Sequence, residues 1–347
     1  MDWFKPHLAS LAPYPYRRVE AQVKLDQNES PEDLPAGVRA RALERLRDTA
    51  WNRYPDLHGE EVRAAVARFA GWPADGVAVA PGSNFLVLAL ALAARRVLDT
   101  APSFAYYEGA ARISGVEYRA VRLGTGFALP VGGLLAALGG EPGVLFLSVP
   151  HAPTGKLFPR TEVEAVVKAA TGAGWLAVLD EAYHQFAGSD LRDLARGNSK
   201  VALLRTFSKA WCLGGLRAGY LLGAPELAGK VQATLPPFLV PATSAAVLLA
   251  ALESPGYVDE LARRIAAERG RLLSRLRAHP TWAAHESAAN FVLVRTPDAR
   301  AAYQGLLARG ILVRRQDHHP GLEGCIRVTV GTPAENDALV EAAMGMR

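Results

Sequence analysis

A single lysine, Lys209, lies in the segment T-F-S-K-A-W-C-L-G-G-L-R, which spans residues 206–217. Thr206 and Ser208 precede it, and Arg217 ends the segment eight positions later. A lysine among apolar residues and near an arginine has a lowered pKa, so its amine can form a Schiff base with an aldehyde. An isolated Ser-Lys pair is more often an exposed turn, so the companions of Lys209 decide between the two interpretations.

Two elements of the sequence could hold a phosphate group. The hydroxyls beside Lys209 and the guanidinium of Arg217 offer one set of donors. Gly82, Ser83 and Asn84 offer another, because they follow a predicted strand and open a predicted helix, where N–H groups attract anions. Taken alone, the second pattern is also typical of an ordinary helix cap.

A carboxylate and a phenol accompany these donors. Asp180 ends the apolar run L-A-V-L-D, and Tyr183 follows in D-E-A-Y. Burying a carboxylate requires a partner, and a cationic heterocycle is one such partner. A helix cap or a structural ion pair is the alternative for Asp180, and core packing is the alternative for Tyr183.

Together, an amine, a counter-carboxylate, an aromatic hydroxyl and two phosphate-holding elements match the needs of pyridoxal 5′-phosphate. In such a site Lys209 holds the aldehyde, and Asp180 keeps the ring nitrogen protonated. The sequence contains no G-x-G-x-x-G, which argues against a nicotinamide dinucleotide.

Short apolar runs separated by helical patterns must position these side chains. They are V-A-V-A (77–80), V-L-F-L-S-V (144–149), L-A-V-L-D (176–180), V-A-L-L-R-T-F (201–207) and A-G-Y-L-L-G (218–223). Such runs predict an α/β fold with a parallel sheet covered on both faces, and the stretch 85–97 is predicted to be helical. Right-handed crossovers bring the carboxyl ends of parallel strands to one rim, where ligands bind.

The length of 347 residues predicts two domains. We predict a large cofactor-binding domain over 31–240 and a smaller α+β domain over 241–347. The smaller domain contains a long helix from Gly256 to about His279, followed by strands in A-N-F-V-L-V-R, I-L-V-R-R and C-I-R-V-T-V-G. Residues 1–30, rich in Pro and Tyr, are predicted to form an arm that packs on this domain or on a partner chain.

Composition narrows the class of protein. Half of the residues are hydrophobic and 21% are charged, which suits a large core. The net charge is +5, but no Lys/Arg tract occurs, so we expect no nucleic-acid partner. Two distant cysteines without C-x-x-C indicate reduced thiols and no metal site. With no signal-peptide pattern and no membrane-length apolar run, we expect a cytoplasmic protein that does not enter membranes.

Eight segments together give the chain the pattern of a known family. They are N-E-S-P (28–31), R-Y-P-D-L-H-G (53–59), P-G-S-N (81–84), P-S-F-A-Y-Y (102–107), P-T-G (153–155), L-D-E-A-Y-H-Q-F (179–186), T-F-S-K-A-W-C-L-G-G-L-R-A-G-Y (206–220) and C-I-R-V-T-V-G-T-P-A-E-N-D (325–337). On these residues the sequence resembles the fold type I aminotransferases of class I/II, and among them the histidinol-phosphate aminotransferases. The similarity runs over nearly the whole chain.

The resemblance implies a fold, a reaction and an assembly. The fold has a mostly parallel, seven-stranded sheet between helices, plus the smaller α+β domain. The reaction is the transamination of histidinol phosphate and 2-oxoglutarate to imidazole-acetol phosphate and glutamate, in histidine biosynthesis. The assembly is a homodimer with shared active sites, in which Tyr54 reaches into the neighbouring subunit's site.

The resemblance also implies a role for each residue at the cofactor. Lys209 bonds to the aldehyde and then moves a proton, Asp180 pairs with the ring nitrogen, and Tyr183 donates to the ring's phenolate oxygen. Tyr107 stacks on the ring face. The residues that hold the phosphate are Gly82, Ser83, Asn84, Thr206, Ser208 and Arg217.

Two arginines are implied at the substrate's anionic end. Arg327 matches the family's substrate-anion arginine, and Arg314 matches a second arginine that helps to bind the substrate phosphate. Their bidentate guanidinium groups would orient a dianion. Alternatively, Arg314 and Arg315 are two exposed basic residues at the end of a strand. Tyr14 or Tyr16 is expected to contact the substrate as well.

The chain departs from the family pattern in two places. Ala152 stands where the family has an asparagine that donates to the ring oxygen, which leaves Tyr183 as the main donor, with His151 or a water as helper. Phe85 follows Asn84 where the family tends to have acidic residues. An aromatic amino acid aminotransferase, a phosphoamino acid decarboxylase of the same fold and a non-catalytic regulator are therefore kept as alternatives.

Overall fold

A computed structural model describes residues 3–9, 11 and 19–346 of the chain. The helices are α1 (Ala36–Asp48), α2 (Glu60–Ala70), α3 (Ser83–Ala93), α4 (Tyr106–Ser114), α5 (Val131–Ala137), α6 (Arg160–Gly172), α7 (His184–Ala187), α8 (Arg192–Ala195), α9 (Pro225–Ala233), α10 (Ala242–Leu252), α11 (Gly256–Arg277), α12 (Ala299–Leu307) and α13 (Pro333–Met344). The strands are β1 (Val23–Lys24), β2 (Val77–Ala80), β3 (Arg96–Ala101), β4 (Glu117–Arg122), β5 (Val144–Ser148), β6 (Leu176–Asp180), β7 (Val201–Thr206), β8 (Gly219–Leu222), β9 (Ala283–Ala284), β10 (Phe291–Arg295), β11 (Ile311–Leu312), β12 (Arg314–Arg315) and β13 (Cys325–Thr329).

A seven-stranded sheet in the order β2-β8-β7-β6-β5-β3-β4 forms the centre of the molecule. Strands β7, β6, β5, β3 and β4 are parallel, and β8 lies antiparallel between β2 and β7. The predicted mostly parallel sheet is confirmed. The prediction was wrong for β8, because only the Lys209 loop joins it to β7 and no crossover helix intervenes.

Helices cover both faces of this sheet. Along β6, Ala177 and Leu179 pack into one buried cluster, and Val178 packs into the other. Alternation along a strand sends successive side chains to opposite faces, so an uninterrupted apolar run marks a strand buried on both sides. Full burial of each such side chain stabilises the fold by about 1.5–3 kcal/mol.

The helix predicted over 85–97 is shorter than expected. Helix α3 ends at Ala93, Ala94 has extended backbone angles, and β3 begins at Arg96. The run L-A-L-A-A-R-R-V-L contains no Gly or Pro that would mark a boundary, so the sequence pattern extended the helix too far. Strands β3 and β4 were not among the predicted strand segments.

The C-terminal part of the chain forms a second, antiparallel sheet in the order β12-β13-β10-β9, with α11 and α12 in contact with it and α13 in contact with these two helices. This confirms the predicted smaller α+β unit. Residues 23–28 run alongside it, because β1 pairs with β11 and the Thr329 amide donates to the Leu25 carbonyl at 2.9 Å.

The parallel strands bring the chemically active residues to one rim. Strand β6 ends at Asp180 and β7 ends at Thr206, three residues before Lys209. Among the helices in the described ranges, none is both long and apolar enough to cross a membrane.

Candidate active site

Lys209 lies in the loop after β7, half-buried beneath the N-terminal segment. Its Nζ donates to the Gln27 carbonyl at 3.1 Å and is 5.8 Å from the centre of the Tyr183 ring. Burial, helped by the positive charge of Arg327, lowers the pKa of Lys209 from the ordinary 10.5 to about 7. The amine is therefore available in its neutral, nucleophilic form near neutral pH.

Asp180 is buried, with 6% of its surface exposed. One carboxylate oxygen accepts from the Tyr107 hydroxyl at 2.6 Å, and the other accepts from the Ala182 amide at 3.0 Å. Burial raises the pKa of Asp180. No described residue forms a salt bridge with it, so a cationic ring nitrogen at this rim would supply the countercharge that burial demands.

Tyr107 is fully buried and is in contact with Asp180. Its ring stacks on Phe146, with centroids 4.7 Å apart and an interplanar angle of 4°, and its hydroxyl donates to Asp180. That contact was not foreseen from the sequence. The predicted stacking of Tyr107 on the cofactor ring stays a prediction.

Tyr183 begins α7 and projects toward Lys209. Its ring packs edge-on against Phe291 at 5.1 Å, and its hydroxyl oxygen accepts from Asn28 Nδ2 at 3.0 Å. Burial raises the pKa of Tyr183, so the hydroxyl keeps its proton and remains a donor.

The predicted phosphate donors converge where α3 begins. Gly82 has φ of +86°, and a Cβ there would lie 2.7 Å from Arg217 Nη2, so glycine lets the guanidinium approach the start of the helix. A Cβ at Gly219 would lie 2.5 Å from the Ser83 amide nitrogen. Arg217 Nη1 in turn donates to the Ser208 hydroxyl at 3.3 Å. These groups surround an anion-binding position at a helix N-terminus.

Thr206 and Asn84 complete this group in different ways. The Thr206 hydroxyl donates to the Ala218 carbonyl at 3.3 Å and accepts from the Ser208 amide at 3.0 Å, so it braces the lysine loop. Asn84 lies in the first turn of α3, where main-chain N–H groups have no acceptor within the helix.

The two predicted substrate arginines face each other across two strands. Arg314 on β12 lies directly opposite Arg327 on β13, and opposite residues of an antiparallel pair share one face. Arg327 Nη2 also donates to the Asp26 carbonyl at 2.9 Å. Arg315 points to the other face and binds Asp317 through two hydrogen bonds of 2.9 and 2.7 Å.

The structure does not bring every predicted residue to this cluster. Tyr54 is 83% exposed, and its ring stacks on Phe238 at 4.8 Å rather than on the described residues around Lys209. Tyr14 and Tyr16 lie outside the described residues, so their predicted substrate contact stays a prediction.

Ala152 is buried, and His151 does not replace the missing donor. The His151 ring is fully buried, with Nδ1 2.8 Å from the Thr154 hydroxyl and Nε2 3.3 Å from the Thr100 hydroxyl. Both ring nitrogens are thus engaged away from Tyr183. Sequence reasoning also gave no role to Asn28, although N-E-S-P was among the segments that carried the resemblance.

The family model described as aminotransferase class I and II matches residues 20–342. The chain belongs to this family. The histidinol-phosphate aminotransferase of Deinococcus radiodurans is 46% identical to this aminotransferase over 338 residues, which are 96% of this chain and 94% of the relative. The enzyme of the same name from Methylibium petroleiphilum is 40% identical over 96% of this chain and 91% of its own length.

A solved structure extends the comparison to a bound cofactor. The histidinol-phosphate aminotransferase from Sinorhizobium meliloti in complex with pyridoxal-5′-phosphate matches with a TM-score of 0.88 and 26% identity, over 99% of this chain and 97% of its own. The present aminotransferase is a pyridoxal-phosphate-dependent enzyme of fold type I.

The residues of this structure fit that cofactor. A lysine with a lowered pKa, a buried carboxylate that lacks a described cationic partner, and a glycine-lined helix start beside an arginine match its aldehyde, ring nitrogen and phosphate. Clusters of three or more potential metal ligands do not occur within the described residues.

Proposed function

We propose that this aminotransferase exchanges an amino group between histidinol phosphate and 2-oxoglutarate, reversibly, as a step of histidine biosynthesis. The observation that carries the proposal is the pair Arg314 and Arg327, opposite each other on β12 and β13. Two guanidinium groups on one face of neighbouring strands can bind the same anion. A phosphate dianion satisfies both guanidinium groups through paired hydrogen bonds.

The direction of the neighbouring arginine supports the same assignment. Arg315 points away and binds Asp317, whereas Arg314 and Arg327 share the other face of the two strands. Arg327 also acts on Lys209, because its charge contributes to the lowered pKa of that amine. A substrate anchored by its phosphate at the arginines can thus present its amino carbon to the lysine. Glutamate would use the same anchor through the carboxylate on its amino carbon, which takes the place of the phosphate arm.

When bound, the cofactor supplies an electron-withdrawing ring that weakens the substrate's Cα–H bond. We assign Lys209 Nζ as the base that takes the proton from Cα and returns it on the cofactor side, since a pKa of about 7 suits both steps at neutral pH. Asp180 holds the countercharge for the ring nitrogen, braced by Tyr107. Tyr183, beside Lys209, would donate to the ring oxygen, and Arg217 with the amino-terminal end of α3 would hold the phosphate.

A substrate panel tests the proposal. Histidinol phosphate should exceed histidinol in kcat/KM by about 10²–10³-fold, because the phosphate accounts for roughly 3–4 kcal/mol of charged hydrogen bonds. Arg327→Gln should remove most of this preference, and the matched control Arg315→Gln should keep it. Faster turnover of phenylalanine would point to the aromatic alternative, and release of CO2 from phosphothreonine would point to the decarboxylase.

We also propose a homodimer in which Tyr54 enters the partner's site. Trp51 and Tyr54 are 78% and 83% exposed, and Tyr54 with Phe238 forms an exposed aromatic stack. Exposed aromatic surface of this kind is typical of protein interfaces.

Mixed dimers test this assembly. Tyr54→Ala and Lys209→Ala should each be inactive alone. Mixing them should restore about a quarter of the wild-type activity, because half of the dimers would then carry one intact site. No recovery in mixtures that demonstrably exchange subunits would contradict shared sites. Location in the cytoplasm stays part of the proposal, and cell fractionation tests it.

A further inference from the structure

Three consecutive residues of the N-terminal segment, Asp26–Asn28, each contact a different residue of the site. We call this segment the strap. The Asp26 carbonyl accepts from Arg327 at 2.9 Å, and the Gln27 carbonyl accepts from Lys209 at 3.1 Å. The Asn28 side chain then donates to the Tyr183 hydroxyl at 3.0 Å. The strap contributes main-chain carbonyls to the first two contacts and a side chain to the third. Only the contact between Asn28 and Tyr183 therefore depends on the residue type in the strap.

The Asn28 side chain is held in one orientation by β13. Thr329 Oγ1 accepts from the Asn28 main-chain N–H at 2.9 Å and lies 3.3 Å from Asn28 Oδ1, to which its own proton is directed. The amide oxygen is thereby engaged, and the NH2 group is left to face Tyr183. An NH2 group can only donate, so the amide fixes the direction of the hydrogen bond.

This direction matters for Tyr183. A phenol has one proton to donate, and its oxygen can accept. Because Asn28 donates to that oxygen, the Tyr183 proton is free to point at another acceptor. A carboxylate or carbonyl at the Asn28 position would instead capture the proton.

Asn28 is buried and strained, which is consistent with a specific role. It is 1% exposed and has φ of +53°, a region that asparagine tolerates better than most residues. Asn290 Nδ2 donates to its carbonyl at 3.1 Å and completes its fixation. All of its polar contacts with Thr329, Asn290 and Tyr183 bridge more than 150 residues of sequence.

We propose that Asn28 is a positioning residue that commits the Tyr183 hydroxyl to donate to the cofactor's ring oxygen. The hydrogen bond from Tyr183 is especially important in this chain, because Ala152 cannot donate to the ring oxygen and His151 is bound to Thr154 and Thr100. The inference rests on the proposed roles of Lys209 and Tyr183, and it does not depend on which amino compound is the substrate.

The test is the pH at which the absorbance of the lysine-bound cofactor changes. A hydrogen bond donated to the cofactor's ring oxygen stabilises the negative charge on that oxygen. The proton on the linkage between lysine and cofactor is then lost more easily, so the pH midpoint is lower. Asn28→Asp inverts the hydrogen bond and should raise the midpoint by about one pH unit, close to the effect of Tyr183→Phe. Asn28→Gly keeps the positive φ and should raise it by about half a unit.

Asn290→Ala is the matched control, because it removes a buried amide hydrogen bond to the same strap residue without touching Tyr183. Its midpoint should stay at the wild-type value even though the protein is less stable. Unchanged midpoints in both Asn28 variants would overturn the proposal, and so would an equal rise in Asn290→Ala. The titration needs only bound cofactor, so it can succeed even when histidinol phosphate proves not to be a substrate.

Discussion

The protonation of Lys209 gives the sharpest quantitative prediction. Burial and the charge of Arg327 lower its pKa from 10.5 to about 7. At pH 7 about half of the amine is then neutral, against about one part in 3,000 for an unperturbed lysine, which is a gain of about 10³-fold. Because the neutral form is the nucleophile, reactivity should rise as the pH rises through about 7.

Cofactor-free protein can be pulsed briefly with acetic anhydride at a series of pH values, and the label on the Lys209 peptide measured by mass spectrometry. The exposed Lys230, paired with Glu226 on α9, serves as an internal reference for the reagent. We expect a midpoint near 7 for Lys209. A midpoint above about 9.5 would refute the reasoning, because neither burial nor the nearby arginine would then be acting on the amine.

The same assay separates the two causes of the shift. Arg327→Met removes the positive charge and keeps the side chain's bulk, so the midpoint should rise, since the charged amine is no longer repelled. Because burial is the larger cause, the midpoint should still lie below 10.5. An unchanged midpoint would show that Arg327 does not act on Lys209.

Three further predictions follow from particular contacts. Ala152→Asn restores a donor to the ring oxygen and should lower the pH midpoint of the bound cofactor's absorbance by about one to two units, equivalent to about 1.5–3 kcal/mol; identical midpoints would contradict this. Glu181→Gln leaves the buried Arg205 with Asp190 as its remaining carboxylate partner and should lower the free energy of unfolding in urea by about 1.5–3 kcal/mol, whereas Glu164→Gln, which breaks an exposed pair with Arg160, should change it by less than about 0.5 kcal/mol. Gly82→Ala places a methyl group against Arg217 at a positive φ and should weaken cofactor retention in dialysis by about 10-fold or more. Gly132→Ala is the control, because a Cβ at Gly132 would have no atom within 4 Å. Equal cofactor retention in the two variants would argue against the phosphate position.

The central sheet and its active rim were predictable because each signal is local. The runs that became β5, β6 and β7 each begin with four consecutive apolar residues, a pattern typical of strands buried on both faces. Parallel pairing then forces their carboxyl ends together, so Asp180 and Lys209 were expected at one rim. Gly82 and Arg217 approach each other because β8 runs antiparallel to β2, which the sequence pattern did not predict.

The strap could not be predicted from sequence pattern. Its contacts join Asn28 to Tyr183 and Gln27 to Lys209 across 155 and 182 positions, and no periodicity reports such distances. The bond between Tyr107 and Asp180 was missed for the same reason. The end of α3 was misplaced because no Gly or Pro separates this helix from β3.

The measurement that tests the account most directly is reduction of the cofactor-loaded enzyme with borohydride, followed by peptide mass mapping. The account predicts a single pyridoxyl label on the peptide containing T-F-S-K, at Lys209, and no stable label in Lys209→Ala. A label on any other lysine, or a loaded enzyme that borohydride leaves unlabelled, would contradict it.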